Sequence, residues 1–198
     1  SNELALGTYT IKETSAPIGY TLDETPITVS IEYSNQSVET NNINVTVSNE
    51  VIKGSIQIQK TVDEPLAVWS SGDITNQFAG VVFGITNSDG DLVDTLITDS
   101  NGQAISKLLP YGTYTITETI PMEGYYTADP FDVFISEDGK VYEVTVENEV
   151  IKSNVQIMKT DAATGEIIPI SGTEFVINDI NGNPVVIDNQ DTFTTDES

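Results

Sequence analysis

The sequence predicts an all-β fold of tandem two-sheet sandwiches, on three observations: short runs with strand periodicity, turn sequences between them, and a long internal repeat. The runs lie near 55–61, 79–87, 91–98, 103–107, 112–119, 130–136 and 141–148, and they alternate with the period of a strand that buries one face. The first two are separated by an insertion carrying the only tryptophan, Trp69, and the second and third by Ser88-Asp89-Gly90-Asp91. Asn101-Gly102 precedes the fourth, and Glu137-Asp138-Gly139-Lys140 divides the sixth from the seventh. Such Asn-Gly and Asp-Gly pairs suit tight turns. No segment keeps a helical period. Seven short strands in about 100 residues predict a seven-strand sandwich with an immunoglobulin-like or prealbumin-like layout.

The repeat sets the organisation. Asn49-Glu50-Val51-Ile52-Lys53 returns as Asn148-Glu149-Val150-Ile151-Lys152, and Ile56-Gln57-Ile58-Gln59-Lys60-Thr61 returns as Val155-Gln156-Ile157-Met158-Lys159-Thr160. Gly7-Thr8-Tyr9-Thr10-Ile11-Lys12-Glu13-Thr14 matches Gly112-Thr113-Tyr114-Thr115-Ile116-Thr117-Glu118-Thr119, each followed by Gly-Tyr (Gly19-Tyr20, Gly124-Tyr125). This phase reads as the C-terminal half of one module (3–52), a complete module (53–150) and the N-terminal half of the next (152–198). Ser1-Asn2 reads as a cloning scar, and the chain as a piece cut from a tandem array. A half-sandwich exposes apolar faces and unpaired strand edges, so each half is expected to be completed by another segment.

Three polar residues stand where the alternation calls for apolar ones. Lys60 falls on the face of Ile56 and Ile58, Glu118 on that of Tyr114 and Ile116, and Asn148 on that of Val144 and Val146. An unpaired buried charge is costly, so the three are expected to meet, either by hydrogen bonding or by reacting. Burial lowers the pKa of a lysine and raises that of a glutamate, which makes Lys60 a neutral amine nucleophile and Glu118 a neutral acid facing the Asn148 carboxamide. Residue parity alone leaves a hydrogen-bonded cluster and a covalent bond equally open.

Composition removes most other chemistry. With Cys 0 and His 0 there are no disulfides, thiol nucleophiles, imidazole bases or usual zinc ligand sets. A formal net charge of -24, with seven lysines as the only cations, repels nucleic acid and anionic membranes. No apolar run is long enough to span a membrane and no signal peptide is visible.

The module, its early lysine, the Tyr-Thr-Ile-x-Glu-Thr segment with a following Gly-Tyr, and the closing Asn-Glu together resemble the collagen-adhesin B-type repeats. These are also called SpaA-type or prealbumin-like stalk domains of Gram-positive pilins and surface adhesins. The resemblance covers essentially the whole chain. It implies an autocatalytic isopeptide bond between Lys60 and Asn148 assisted by Glu118, in a structural stalk segment outside the cell and attached to the wall. Each triad would react once, so the chain is not a turnover enzyme, and no cofactor is implied. Such a bond would tie the first strand of the module to the last, so that tension bypasses the interior. Lys159 in one half, with Glu13 and Asn49 in the other, would form a second triad if the halves met. The two halves are expected to leave a sandwich at opposite poles, which favours head-to-tail pairing between chains, beside the ordinary contacts between neighbouring modules. In such a join the strand from Gln103 to Lys107 has no counterpart.

Other signals weigh less. Asp179-Ile180-Asn181-Gly182-Asn183 and Asp89-Gly90-Asp91 suit hairpin turns better than calcium, since the EF-hand glycine would fall on Pro184. Asn35-Gln36-Ser37 and Asn44-Val45-Thr46 fit a glycosylation pattern that is frequent by chance. An adhesive module binding a host protein or glycan would call for an exposed aromatic patch beyond Trp69. A serine-lysine hydrolase would need a serine where Asn148 stands.

Overall fold

The computed structural model describes residues 4–33, 43–66, 78–168 and 170–196. Trp69, Ser1-Asn2 and Asn35-Gln36-Ser37 lie outside them. Among the described residues all twelve elements are strands: β1 (Gly7–Ile11), β2 (Ile27–Ile31), β3 (Lys53–Val62), β4 (Val82–Thr86), β5 (Leu92–Ile97), β6 (Gln103–Ile105), β7 (Leu109–Pro110), β8 (Gly112–Ile120), β9 (Phe131–Ile135), β10 (Val141–Asn148), β11 (Glu174–Val176) and β12 (Thr192–Thr194). Strands β3 to β10 build a central two-sheet sandwich. One sheet has the order β10-β3-β6, with β7 also paired to β3, and the other has the order β5-β4-β8-β9. Each of the seven expected runs contains a strand, and the two-residue β7 is additional.

Alternation decides which side chains fill the space between the sheets. Ile56 and Ile58 of β3 face Phe83 and Ile85 of β4, Tyr114 and Ile116 of β8, and Val133 and Ile135 of β9, all buried. Gln57 and Gln59, one residue out of phase, are only half-buried. Burying an aliphatic side chain of this kind stabilises the fold by about 1.5–3 kcal/mol.

The pairing that positions everything else is β3 with β10, the first and last strands of the sandwich. They run parallel, with Lys60 opposite Val146 and Asn148 opposite Val62. Because both strands point the same way, the chain enters at one pole and leaves at the other. Lys60 and Asn148 both lie near the exit.

On the entrance side the N-terminal unit that carries hairpin β1-β2 meets the sandwich at Ile52. The Ile52 N–H donates to the Gly19 carbonyl at 2.9 Å, while the Ile52 carbonyl accepts from the Tyr111 N–H at 2.8 Å. One residue thus has its two backbone groups in two different units. Gly19 has φ 85, and a Cβ there would sit 3.0 Å from the Tyr111 ring, which itself packs edge-on against Phe134. The bond to glycine recurs one repeat later, from the Ile151 N–H to the Gly124 carbonyl at 2.8 Å, and the bridge of Tyr20 with Val51 recurs as that of Tyr125 with Val150.

Two segments with strand-like sequences form no strand. Residues 43–48 repeat the sequence of β10 and residues 154–159 repeat that of β3, yet neither is in a ladder. In the sandwich each of these strands has the other as its parallel partner, and in these segments that partner is missing. At the far end β11 and β12 form a short antiparallel hairpin.

Gly19→Ala should open the joint. A left-handed φ costs a residue with a Cβ about 1–2 kcal/mol, so trypsin cleavage after Lys53 should accelerate by about 5- to 30-fold. An unchanged cleavage rate would mean that the Gly19–Tyr111 contact does not hold the units together.

Candidate functional site

Lys60, Glu118 and Asn148 are 1%, 4% and 1% exposed, as low as the aliphatic residues beside them. Each reaches the core because its strand alternates without a break up to that point. Just beyond Glu118 the register shifts: Phe83 pairs with Glu118 but Val82 with Ile120, leaving Thr119 as a bulge. Bulges recur where a side chain must be re-aimed. This one lies next to the acid.

The Asn148 Nδ2 donates to both carboxylate oxygens of Glu118, at 3.1 and 2.9 Å. Glu118 Oε2 also accepts from the Ala128 N–H at 2.7 Å, which fixes the carboxylate in place. The Lys60 Nζ donates to the carbonyls of Thr61 at 2.7 Å and Val146 at 2.9 Å. Val146 is two residues before Asn148 on the same strand face, so the amine is held beside the last residues of β10. Gly102 closes the other side. Its carbonyl accepts from the Lys60 N–H at 2.8 Å, and a Cβ there would lie 2.8 Å from the Lys60 carbonyl oxygen. Any larger residue would push β3 away at the position of the lysine.

The electrostatics favour a nucleophile. Burial pushes the Lys60 ammonium from its ordinary 10.5 down to about 8, against the opposing pull of the Glu118 and Glu147 carboxylates. At pH 7 about a tenth of such an amine is neutral, roughly 300 times the fraction of a solvated lysine. Among the described residues, Asn148 Oδ1 is the one buried side-chain oxygen or nitrogen without a hydrogen-bond partner. Rotating the carboxamide by half a turn would place Oδ1 against Glu118, where it accepts a hydrogen bond only from a protonated carboxyl.

The second set of predicted residues is split. Asn49 Nδ2 donates to Glu13 Oε2 at 2.6 Å and to the Thr21 carbonyl at 3.0 Å. Glu13 Oε2 also accepts from the Asp23 N–H at 2.9 Å, at the same offset as Ala128 from Glu118. The glutamate and asparagine therefore meet as they do in the sandwich, but half-buried. Lys159 is at the other end, exposed, and donates to Thr173 Oγ1 at 3.0 Å. The sequence reading named these six residues. It did not find the Ala128 N–H or the Thr119 bulge, because neither depends on side-chain identity, and it read Gly102 only as a turn.

The lysine's burial predicts a pH dependence. An Asn148→Ala variant has no carboxamide beside Lys60, which rules out any reaction between the two, and the free amine has a pKa of about 8 when folded against 10.5 when unfolded. Between those values the unfolded chain holds more protons, so stability rises with pH. Below about 8 both states are protonated and the slope vanishes. Burial pushes the Tyr114 and Tyr125 phenols up, which works the other way only above about pH 10. Urea midpoints should therefore climb from about pH 8 to about pH 9.5 in Asn148→Ala, and not when Lys60→Met is added. Equal slopes in the two variants would mean that the ammonium is not desolvated.

The family model of the SpaA prealbumin-like fold domain matches residues 1–50 and 70–150. Among solved structures, the Bacillus anthracis TIE protein is similar at 28% identity over 97% of this chain, with a TM-score of 0.66, and this chain covers 34% of its length. BcpA, the major pilin subunit of Bacillus cereus, is 24% identical over 52% of this chain and 32% of its own, with a TM-score of 0.39. GBS52, the minor pilin of Streptococcus agalactiae, is 20% identical over 80% of this chain and 66% of its own, with a TM-score of 0.43. A search of curated proteins found no match. The all-β sandwich, the full-length likeness to the TIE protein and the family match over most of the residues agree: the chain belongs to the SpaA family of prealbumin-like fold domains.

Proposed function

We propose that the chain is a stalk segment of a Gram-positive surface pilin or adhesin, outside the cell and attached to its wall, whose complete module (53–150) is locked by an isopeptide bond from Lys60 to Asn148. Residues 3–52 and 152–198 are the adjoining half-modules of the array. The observation that carries this reading is a buried lysine with a lowered pKa beside a buried Glu118–Asn148 pair, at the exit end of two parallel strands.

The chemistry balances without a cofactor. The neutral Lys60 Nζ attacks Asn148 Cγ with the carboxamide rotated and Glu118 in its protonated form, so that the Glu118 O–H donates to Oδ1 and stabilises the charge that develops there. The Nζ–Cγ bond forms, Glu118 relays a proton from Nζ to Nδ2, the Cγ–Nδ2 bond breaks and ammonia leaves. The site is consumed in one turnover.

Mechanics gives the bond its use. Tension applied at Lys53 and beyond Asn148 pulls β3 and β10 in opposite directions along their shared ladder. With the bond in place the load runs along β3 to Lys60 and across to Asn148, and residues 61–147 carry none of it. In the chain-entropy account a cross-link closing a loop of this length stabilises by about 5 kcal/mol, and unlike a disulfide it cannot be reduced. The similarity to the TIE protein and the pilins supports the surface role. The joint at Ile52 supports an array in which each unit is held by its neighbour.

An intact mass under denaturing conditions tests the reading. The chain should weigh one ammonia less than its sequence, and Glu118→Ala should restore the full sequence mass and lower the melting temperature by about 20 °C or more. A wild-type chain at full mass, or a Glu118→Ala chain that still loses ammonia, would refute the assignment.

A further inference from the structure

The last β8–β9 pair is Gly112 with Ile135, so the ladder leaves the N–H groups of Ser136 and Glu137 without a strand partner. The chain then turns back through Asp138 and Gly139, whose φ of 70 is the left-handed conformation a tight turn calls for, and enters β10. Both N–H groups end on one side chain. The Ser136 N–H donates to the Tyr142 hydroxyl oxygen at 2.8 Å, and the Glu137 N–H donates to the same oxygen at 3.0 Å.

Other tyrosines do the reverse. Tyr9, Tyr114 and Tyr125 each donate the hydroxyl proton to a backbone carbonyl, those of Ala5 at 2.8 Å, Pro110 at 2.8 Å and Glu64 at 2.9 Å. A phenol bonded in that way is held neutral, because ionising it would discard the bond. At Tyr142 the two N–H groups occupy the lone pairs, and the partner left for the phenol's own proton is Ser136 Oγ at 3.4 Å, long for such a bond. Losing that proton sacrifices little and creates an oxyanion facing two backbone donors.

The charges at the turn favour the anion as well. The Lys140 ammonium, ion-paired with Glu137, stands 5.1 Å from the centroid of the Tyr142 ring. Asp138, the other carboxylate of the turn, accepts from the Lys53 N–H at 2.9 Å. Burial pushes the Tyr142 phenol up, but the bonds from Ser136 and Glu137 and the Lys140 charge outweigh it and leave the phenol below the ordinary tyrosine value, whereas burial holds Tyr114 and Tyr125 above it. An ordinary tyrosine is a phenolate in about one molecule in 300 at about pH 7.5, so any lowering adds directly to the reactive fraction. Packing does not ask for this hydroxyl, since one repeat earlier the same place is held by Ile43. Room for the ring comes from Gly54, where a Cβ would lie 3.1 Å from Tyr142 Cε2.

We propose that Tyr142 is a modification site, a phenol that captures a neutral acyl donor as an aryl ester at the turn between β9 and β10. The phenolate oxygen forms the bond to the acyl carbon, the bond from that carbon to its leaving group breaks with the electron pair going to the leaving group, and the phenol's proton ends on that group. The Ser136 and Glu137 N–H groups hold the attacking oxygen in place. The oxygen is reached from the solvent side of the turn, where Tyr142 is half-buried and Glu137 exposed. The donor is neutral because a net charge of -24 repels acyl phosphates and other anions.

N-acetylimidazole, a neutral acetyl donor, tests this when applied in limiting amount to the wild-type chain and followed by peptide mapping. Hydroxylamine then strips acetyl from phenols and leaves it on lysines, so the two are read apart. Exposure alone ranks Tyr33 and Tyr126 first, at 65% and 56%. The hydroxylamine-sensitive label should instead fall on Tyr142 ahead of both by about threefold or more at about pH 7.5, and its rate should climb towards about pH 9. Tyr142→Phe should remove that label and leave the others unchanged, and Lys140→Met, which keeps both N–H donors, should slow it by about two- to fourfold. Labelling that follows exposure and spares Tyr142 would overturn the site and leave its hydroxyl a cap on the turn. A Tyr142 label whose rate ignores pH would overturn the phenolate as the attacking group.

Discussion

The parallel pairing of β3 with β10 is the constraint on which the rest depends. Parallel neighbours cannot be joined by a tight turn, and here the connection between them is the remainder of the sandwich. The pairing is therefore the most non-local contact in the unit, with the largest loop-closure cost in folding. It also places the two chain ends at opposite poles, as a tandem array requires. An antiparallel pairing of the same strands would return the chain to the side it came from, and neither a stalk nor a load-bearing cross-link would follow.

A lysine on that pair is expensive in its free form. Desolvating its ammonium is what pushes it down to about 8, and the same desolvation weakens the uncrosslinked fold at neutral pH. The carboxamide leaves an oxygen unpartnered as well. In the proposed reaction, conversion to a secondary amide would remove the buried amine and release ammonia. The groups that make the unreacted core poor are thus the groups that would drive the proposed reaction forward, and its closure would fall on the contact with the highest entropic cost.

Much of this was legible in the residues. Period-two parity placed Lys60, Glu118 and Asn148 inward, since a strand has only two faces, and the repeat pointed to the Glu13 and Asn49 pair. What escaped was backbone work. The Ala128 N–H that orients Glu118, the Thr119 bulge and the two-sided hydrogen bonding of Ile52 involve groups every residue carries. The strand-like 43–48 and 154–159 show the opposite limit, because alternation specifies a face to bury but a ladder needs a second strand.

Gly19 and Gly124 show how one sequence feature serves two packings. Both have left-handed backbones, with φ 85 and 87, and both accept from an isoleucine N–H, Ile52 and Ile151. Over Gly124 the missing Cβ is replaced by Leu66, 2.9 Å from where it would be, from the insertion of the same unit. Over Gly19 the space is taken by Tyr111, which belongs to the next unit along the chain. A glycine at this corner therefore admits either a side chain from its own unit or an aromatic ring from its neighbour. Where the neighbour's ring takes the place, the joint has no slack: a one-residue connection bonded on both sides leaves the backbone few torsions to turn about. The proposed cross-link, shielding a sandwich from tension, would be of most use behind such a joint, because a rigid joint passes the whole load from one unit to the next.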